Sequence, residues 1–384
     1  MYRIMHKNQI IALADNERLT DILQPELCPG GFAIGMPLSL WLDSRSIDIH
    51  RSHSRQLFKA LHMRNNATLE DMISTGHGIS ITDNWWIQRE SESLDYRSLK
   101  DYNETLANIS FYGFSPTSGS VDGYKQLGTT GSFEKTWRYI DGNWLMYKQG
   151  DPNSIVSEYY AYHVLRALNV PVADYQIHHY TSSIGITTPC ILTRDFTEDA
   201  KYDLDPFCNY FRDNEEPSSI LPKLLQMDKS IAIAYAQMKY YDALLINVDR
   251  HNENVAFLRD SESGQIIRLA PLYDFNLCLS GASASLEFYA EKGSGLMPYF
   301  LKEDACVELI LEQLPSRRSL VDAVHAASAH LRAFLPEIQA DYTVLERYIL
   351  AAYDFSICSM EKQGYLPPSA QYHKATQDFI QKAD

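Results

Sequence analysis

The sequence predicts an α+β fold with two lobes, in which a small β-rich region precedes a larger helical region and an extra mixed region stands at the N-terminus. Three observations predict this fold. The chain has 384 residues, which is more than one average domain. Hairpin signals concentrate between residues 124 and 196, and long helical periodicities follow from about residue 199. The expected domain boundaries are therefore 1–114, 115–198 and 199–384.

The N-terminal region, residues 1–114, shows short strand-like and helical segments but no motif. The predicted strands are Ile10–Ala14, Ile79–Thr82 and Trp85–Gln88, and the predicted helices are His53–Met63 and one that begins at Ala67. Residues 45–64 form a local basic cluster. A solvated helix face explains such a cluster, and recognition of a phosphorylated segment, a nucleic acid or a protein partner is the alternative. Turn-forming residues at 114–123 predict a linker.

The β-rich region, residues 115–198, carries a strong turn signal. Asp141-Gly142 separates two runs of strand formers, Trp137–Ile140 and Asn143–Lys148, and this pattern predicts a β-hairpin. A helix is predicted over Ile155–Leu168 because its apolar residues recur at helical spacing. Two more strands are predicted at Tyr175–Tyr180 and Thr188–Thr193. From residue 199 onward the chain is predicted to be mainly helical, with helices at Ser230–Ile246, Val307–Leu314, Leu320–Phe334 and Tyr342–Met360.

Composition and charge exclude several classes of protein. The formal net charge of −15 repels phosphate backbones, so direct nucleic-acid binding is not expected. The six cysteines lie far apart with no C-x-x-C spacing, which argues against a zinc knuckle or a redox pair and fits a reducing cytoplasm. No apolar run approaches the roughly 18 residues that span a bilayer, so no membrane association is expected. We expect a cytoplasmic protein.

The polar loop that follows the helix Ser230–Ile246 carries the most informative residues. Asp249 and Asn254 lie five positions apart on this loop, before the predicted strand Val255–Leu258. A second strand then leads to Asp274, and a hairpin of the two strands would bring Asp274 back towards Asn254. One carboxylate can accept the proton of an attacking hydroxyl, while an amide and a second carboxylate can hold Mg²⁺ at the phosphates of a nucleotide. The alternative is that these residues only cap a helix and turns.

Upstream residues supply what such a centre needs. Lys148 ends a predicted strand and could reach the phosphates of ATP, and Glu158 in the next helix could pair with it. A solvated lysine and a first-turn glutamate favoured by the helix dipole are the alternatives. Residues 127–135 contain two glycines and small hydroxyl residues, which suits a loop whose N–H groups cover phosphates. Within this segment, Lys135 either adds a positive charge or is exposed. A β-rich lobe followed by a helical lobe is also the general outline of a kinase.

Together these segments resemble the HipA-type serine/threonine kinases, which are bacterial toxin-like kinases with a bilobed fold related to protein kinases and phosphoinositide 3-kinases. The resemblance rests on Asn247-x-Asp249-x-His251-x-x-Asn254, Leu269-Ala-Pro-x-Tyr-Asp274, Gly131-Ser132-Phe-Glu-Lys135 and Glu158 ahead of Leu168-Asn-Val-Pro-Val-Ala173. It implies that Asp249 is the catalytic base, that Asn254 and Asp274 bind Mg²⁺, and that His251 belongs to the catalytic loop. It also implies that Lys148, Glu158, Gly131, Ser132 and Lys135 form the ATP site, with a hinge near Thr193–Phe196.

Three functions remain open at the level of the sequence. The leading hypothesis is an ATP- and Mg²⁺-dependent serine/threonine protein kinase, with a protein substrate and, as in a toxin–antitoxin pair, an antitoxin protein as partner. The second is a small-molecule phosphotransferase similar to the aminoglycoside kinases, for which the acidic balance of the chain would suit a cationic substrate. The third is an inactive kinase fold that acts as a binding module. The presence of Lys148, Asp249, Asn254 and Asp274 argues against this third function.

Overall fold

A computed structural model of the protein describes residues 1–43, 45, 53–61, 73, 76–99, 102–114, 134–181, 185–212, 215–279, 296–334, 336 and 341–368. Packing divides the chain into two compact units. The first unit comprises Met1–Gly150, Tyr175–Tyr210 and Ala256–Ile267, and the second comprises Asp151–Asp174, Phe211–Val255 and Arg268–Asp384. The predicted regions 115–198 and 199–384 therefore each contribute residues to both units.

The first sheet of the first unit is antiparallel and has the strand order β3-β2-β1-β4. Its strands are β1 (Tyr2–His6), β2 (Gln9–Asp15), β3 (Arg18–Ile22) and β4 (Trp85–Arg89). The strands predicted at Ile10–Ala14 and Trp85–Gln88 are confirmed. The strand predicted at Ile79–Thr82 is wrong, because these residues lie in a loop. Ile79 and Ile81 are nevertheless buried in two small apolar clusters, so their alternation reflects packing without strand pairing.

Four short helices of the first unit flank this sheet and the next, and are α1 (Leu38–Asp43), α2 (Ser54–Ala60), α3 (Tyr96–Leu99) and α4 (Glu104–Tyr112). Helix α4 begins where the Asn103 side chain accepts a hydrogen bond from the Leu106 N–H group at 3.0 Å. It ends at Gly113, whose φ of +77° is the left-handed conformation of a helix C-cap. Helix α2 confirms the helix predicted from His53, whereas the predicted helix from Ala67 and residues 115–123 of the predicted linker lie outside the described residues.

The second sheet is also antiparallel, with the order β5-β6-β8-β7. Its strands are β5 (Lys135–Ile140), β6 (Asn143–Lys148), β7 (Tyr175–Thr181) and β8 (Thr187–Arg194). Asp141 and Gly142 have φ values of +49° and +78°, as a two-residue type I′ turn requires. The predicted hairpin and both later strands are therefore confirmed. Lys148 lies directly opposite Lys135 on one side and Ile191 on the other.

The third sheet has the order β11-β10-β9 and consists of β9 (Tyr202–Pro206), β10 (Ala256–Asp260) and β11 (Ile266–Leu269). The sequence analysis did not find β9, because the buried side chains of this strand are carboxylates. Asp203 accepts hydrogen bonds from the Asn84 backbone at 2.9 Å and lies 2.8 Å from His6 Nε2. Asp205 is fully buried and accepts a hydrogen bond from Arg259 Nη1 at 2.7 Å.

The second unit is helical, as predicted. It contains α5 (Pro152–Ala167), α6 (Pro217–Met227), α7 (Lys229–Leu244), α8 (Asp304–Ile310), α9 (Arg317–Phe334) and α10 (Tyr342–Lys362), and residues 296–300 are helical as well. Helix α5 packs on α9, and α7 packs on both α6 and α8. The sequence analysis did not predict α6, because Pro222 lies inside it. Among the described helices, none has the length and apolar character needed to cross a membrane.

Candidate active site

The loop between α7 and β10 begins with a tight connection to the helix that precedes it. The Asn247 N–H group donates to the Asp242 carbonyl at 2.8 Å, and Asn247 Nδ2 donates to Asp242 Oδ1, also at 2.8 Å. Ile246, immediately before, has a φ of +48°, so the chain reverses sharply as it leaves the helix. Asn247 Oδ1 in turn accepts a hydrogen bond from the Asp249 N–H group at 3.3 Å. These bonds place Asp249 just beyond the end of α7.

Arg250 joins three segments of the second unit. Its Nε lies 3.0 Å from Asp242 Oδ2, and its Nη1 donates to the carbonyl of Asn254 at 2.6 Å and to the carbonyl of Tyr273 at 2.8 Å. One guanidinium group thus ties the end of α7 and the end of the loop to the residue directly before Asp274. We call Arg250 with its three partners the Arg250 clamp. It brings the backbone at Asn254 and the backbone at Asp274 together, as the sequence predicted.

The clamp is buried and electrostatically matched. The side chains of Arg250 and Asp242 are only 4% and 7% exposed. Burial lowers the pKa of Arg250, but the adjacent Asp242 carboxylate outweighs this effect, so the pKa lies above its ordinary value. The guanidinium also lies over the Phe275 ring, 4.8 Å from its centroid. The buried guanidinium donates both to the Asp242 carboxylate and to two backbone carbonyls, and these bonds fix the conformation of the loop.

Two side chains of the loop, Asn254 and Asp249, carry oxygen atoms that could bind a cation or accept a proton. Asn254 is 9% exposed, and its Nδ2 donates to the Asp249 carbonyl at 3.1 Å, which leaves its Oδ1 as the atom that can bind a cation. Asp249 is partly buried, and its carboxylate makes no hydrogen bond or ion pair within the described residues. A general base must be able to reach the proton that it abstracts, and no bond with another described residue holds the Asp249 carboxylate.

His251 shapes the turn of this loop. Its N–H group donates to the Asp249 carbonyl at 2.9 Å, its own carbonyl accepts from the Asn254 N–H group at 2.9 Å, and its Nδ1 lies 3.3 Å from the Glu253 nitrogen. These bonds fold the six residues from Asp249 to Asn254 into a compact turn. His251 thus contributes to the shape of this loop. A role for His251 in the chemistry stays a prediction.

Asp274 has a φ of +59°, which is uncommon for a residue other than glycine. The two residues before it are held in place: Leu272 donates its N–H to the Pro171 carbonyl at 2.9 Å, and Tyr273 Oη donates to the Glu253 carbonyl at 3.0 Å. Strained backbone of this kind concentrates at functional sites, where surrounding contacts maintain it. Asp249, Asn254 and Asp274 all belong to the second unit.

The upstream residues of the predicted ATP site have separate positions. Lys148 is 7% exposed on β6 in the first unit, and Glu158 is 2% exposed on α5 in the second unit. Their ion pair stays a prediction, as does the hinge near Thr193–Phe196. Gly131 and Ser132 lie outside the described residues. Lys135 is opposite Lys148, so the two side chains share one face of the sheet.

The Lys135 and Lys148 side chains extend from one face of the second sheet. The face that carries them is otherwise apolar, with Trp137 and Trp144 buried in a cluster with Ile81. From the sequence, Lys135 was either a positive charge at the phosphate loop or an exposed residue; it lies opposite Lys148, and its contact with a phosphate stays a prediction.

A cavity of about 150 Å³ lies behind the loop in the second unit. The residues that shape the loop line it, and the helical segment at 296–300 and α8 complete its wall; they include Asp242, Asn247, Arg250, Phe300 and Cys306. Asp249, Asn254 and Asp274 are not among the described residues that line this cavity.

Sequence reasoning missed the residue that assembles this centre. Arg250 was read only as an unspecified position of the motif, and Asp242 as part of a helix. An arginine inside a short loop, with an aspartate about two helical turns before it, is the signal that could have indicated a buried ion pair.

Comparison with known proteins identifies the fold. No family model matches the sequence, and no curated protein matches it. Among solved structures, HipA of Shewanella oneidensis MR-1, in a toxin–antitoxin complex of HipA, HipB and operator DNA, is similar over 96% of this chain and 100% of that chain, with 13% identity and a TM-score of 0.53. The proinflammatory kinase CtkA of Helicobacter pylori covers 64% of this chain and 94% of its own, with 18% identity and a TM-score of 0.42, too low to carry an argument. The α+β, HipA-like fold predicted from the sequence is confirmed, and this chain has the fold of HipA.

Proposed function

We propose that this chain transfers the γ-phosphoryl group of ATP to a serine or threonine hydroxyl of a protein substrate in the presence of Mg²⁺. The observation that carries the proposal is the Arg250 clamp. It holds the loop of Asp249 and Asn254 against the backbone directly before Asp274, although the chain between the loop and Asp274 contains two strands. Three oxygen-bearing side chains of the required types thus come from one small assembly. The HipA fold supports the same reading.

The residues of this centre fit a magnesium ion by their chemistry. Mg²⁺ prefers oxygen ligands and usually takes one or two carboxylates or amides from the protein, with phosphates and waters in the other positions. Asn254 Oδ1 and the Asp274 carboxylate are such a pair, and the Nδ2 bond to Asp249 orients the amide. When bound, Mg²⁺ would neutralise charge on the β- and γ-phosphates.

Asp249 would act on the acceptor. Its carboxylate accepts the proton of the attacking hydroxyl as the oxygen forms a bond to the γ-phosphorus and the bond to the ADP oxygen breaks. The proton therefore stays on Asp249 and the negative charge leaves with ADP. Lys148 and Lys135, on one face of the second sheet, would contact the phosphates and stabilise that charge.

The test compares Asp249→Asn with the unchanged protein. With radiolabelled Mg-ATP and a lysate as the acceptor, we expect Asp249→Asn to reduce labelling at least about 10²-fold, because a proton acceptor contributes roughly that factor. Binding of Mg-ATP should survive, since the substitution leaves Asn254 and Asp274 in place. Asp322→Asn, an exposed carboxylate on α9, is the matched control and should label like the unchanged protein.

Either of two results would contradict the proposal. One is an unchanged protein that neither binds Mg-ATP nor labels any protein, and the other is an Asp249→Asn variant that labels as strongly as the unchanged protein. A third assay separates the acceptor classes, since the net charge of −15 also suits a small cationic acceptor. Label transferred to an aminoglycoside, with none on any protein, would favour the small-molecule phosphotransferase.

The same proposal extends to a partner. The HipA structure contains HipB and operator DNA, and we propose that an antitoxin protein binds this chain as well. The net charge of −15 argues that any DNA contact would come through that partner. Co-expression with the product of an adjacent reading frame, followed by co-purification, tests the partner directly. A partner that never co-purifies would contradict this extension and leave the phosphoryl-transfer proposal intact.

A further inference from the structure

The cavity of about 150 Å³ behind the loop reaches from the surface of the second unit to the Arg250 clamp. Val248 and Tyr299 line it and are 53% and 43% exposed, so the cavity opens to solvent where these two residues lie. Asp242 and Arg250, whose side chains are 7% and 4% exposed, line its inner part. A molecule inside the cavity would therefore lie against the residues that fix the loop.

Apolar groups of the wall set the size of what the cavity can hold. Ala243 of α7, Phe300 and Cys306 of α8 are all buried, so they are fixed parts of the packed interior. An apolar cavity of about 150 Å³ holds a molecule of the size of benzene. The cavity therefore has room for one aromatic ring, and it is too small for a nucleotide or a peptide.

The charged groups of the wall balance one another. Asp242 pairs with Arg250 at 3.0 Å, and Lys239 of α7 lines the cavity together with Glu303, the residue directly before α8. Burial raises the pKa of Glu303, with the nearby Glu216 carboxylate in support and Lys239 in opposition. Among the described residues of the wall, two positive groups thus face two carboxyl groups. An ionic ligand would bring a charge without a partner into this enclosed space, which is costly, so the cavity suits a neutral molecule.

Lys239 and Glu303 also supply the groups that can bind a hydroxyl. An ammonium group donates hydrogen bonds and a carboxylate accepts them, so one hydroxyl can accept from Lys239 and donate to Glu303. We propose that the cavity binds a small neutral phenol, whose hydroxyl group lies between these two residues, and that the bound molecule holds the loop in the conformation that the Arg250 clamp gives it. The aromatic ring of the phenol occupies the apolar part of the cavity, against Phe300 and Ala243.

The effect on the loop follows from the residues that form the site. Asn247 and Val248 belong to the loop, and they line the cavity in the loop conformation described above. When the loop opens, the cavity loses one side, so a phenol binds the open form more weakly and favours the folded one. The binding site stands apart from the proposed function, whereas any effect of the phenol on phosphoryl transfer rests on that function.

Phenol itself is the probe, and isothermal titration with the full chain at pH 7.5 measures its Kd. For so small a ligand we expect a Kd of about 0.1–1 mM. Ala243→Met fills part of the cavity and should raise the Kd at least about tenfold, because the ring no longer fits. Ala234→Met is the matched control. Ala234 precedes Ala243 by two and a half turns of α7, so it lies on the opposite side of the helix, and its substitution should leave the Kd unchanged.

Two further variants test the two ends of the ligand. Phe300→Val should bind 2-naphthol at least about tenfold more tightly than the unchanged protein does, because the smaller side chain leaves room for a second ring. This is a gain of binding, which loss of the fold does not produce. Lys239→Met removes a hydrogen-bond donor and should raise the Kd of phenol about tenfold, while the Kd of benzene stays within about threefold.

Amide hydrogen exchange measures the effect on the loop without any assay of activity. Four N–H groups donate the hydrogen bonds that fold the loop, those of Asn247, Asp249, His251 and Asn254. At a phenol concentration of about five times its Kd, exchange of these groups should slow about sixfold, because opening of the loop removes the site. Exchange in helix α4 of the first unit is the reference and should not change.

The outcomes separate the site, its effect and the proposed function. An unchanged protein that does not bind phenol, or an Ala243→Met variant with the same Kd as the unchanged protein, would overturn the site. Phenol binding with unaltered exchange of the four loop N–H groups would overturn the effect on the loop. A protein that binds phenol but neither binds Mg-ATP nor labels any protein would refute the proposed function and leave the phenol site standing.

Discussion

Arg250 shows how a single side chain can set the geometry of a site without touching a substrate. Its guanidinium has five donors in a planar fork, and here they reach the Asp242 carboxylate and the carbonyls of Asn254 and Tyr273. A lysine carries the same charge on a single flexible ammonium and cannot span three partners that diverge. The role of Arg250 therefore depends on its shape as much as on its charge.

Two substitutions at Arg250 separate the effect of its charge from the effect of its shape. Arg250→Met should lower the free energy of unfolding by about 3–5 kcal/mol, because it leaves the buried Asp242 charge unpaired. Arg250→Lys should lower it by less, about 1–3 kcal/mol, yet still reduce phosphoryl transfer strongly, because the backbone at Asn254 and Tyr273 is no longer held. Urea denaturation and the labelling assay measure the two effects.

Arg268→Lys is the control for this prediction, since Arg268 is exposed on β11. It should change the free energy of unfolding by no more than about 0.5 kcal/mol and should leave phosphoryl transfer unchanged. Full activity in Arg250→Lys would mean that the loop keeps its shape without the fork, and the clamp would then have no role in catalysis.

At the scale of single helices and strands, the sequence predicted the elements that depend on residues close together in the chain. The Asp141-Gly142 turn and its flanking strands could be found because a type I′ turn needs particular residues at two neighbouring positions. Strand β9 could not be found, since Asp203 and Asp205 alternate as buried residues only because distant partners satisfy them. Those partners, which include His6 and Arg259, are 197 and 54 positions away. No local pattern reveals such pairs.

The packing of α5 on α9 brings two histidines together, with a consequence for stability. His163 stacks on His330 with ring centroids 4.2 Å apart and meets Tyr159 edge-on at 4.4 Å. Burial lowers the pKa of His163 to about 4, with the neighbouring His330 and Arg166 acting in the same direction and Asp174 against it. Within the described residues, the buried Nε2 atom of His163 has no hydrogen-bond partner. A proton on that ring would therefore be poorly accommodated.

The sign of the resulting pH dependence follows from linkage. The pKa of His163 is lower in the folded state than the ordinary value of 6.5, so the unfolded chain binds an extra proton between these pH values. Stability should fall as the pH drops from about 6.5 to about 4 and then level off for this group. Because the side chain is partly exposed, we expect the contribution to be about 1–2 kcal/mol.

His163→Gln removes this titration and should reduce the loss of unfolding free energy between pH 7 and pH 4.5 by that amount. Denaturation curves at the two pH values measure it. His325→Gln, on the exposed side of helix α9, is the control and should lose stability as the unchanged protein does. An identical loss in His163→Gln and the unchanged protein would show that His163 accepts its proton freely in the folded state.

At the scale of the whole molecule, each compact unit is made of several separate segments of the chain, and the composition does not reveal this division. The candidate catalytic residues could be placed from sequence because loop, strands and motif follow one another between residues 247 and 274. The N-terminal region carried no motif, yet its helices α2 and α4 contact the lysine-bearing hairpin through His53 and Ser110. These contacts join residues 81 and 25 positions apart, so they depend on the fold and not on any neighbouring pattern.

The net charge of −15 gives a last prediction for the molecule as a whole. Like charges on one chain repel, and this repulsion opposes the compact state. Salt screens it, since the Debye length falls from about 30 Å at 0.01 M to about 8 Å at 0.15 M. The buried pairs Arg250–Asp242 and Arg259–Asp205 are screened much less, so salt should stabilise the fold on balance.

We expect the Tm at pH 7.5 to rise by about 2–5 °C between 0.01 M and 0.15 M salt. Near pH 5.2, where the sequence is neutral, the rise should disappear. A Tm that falls with salt at pH 7.5 would show instead that exposed ion pairs outweigh the repulsion.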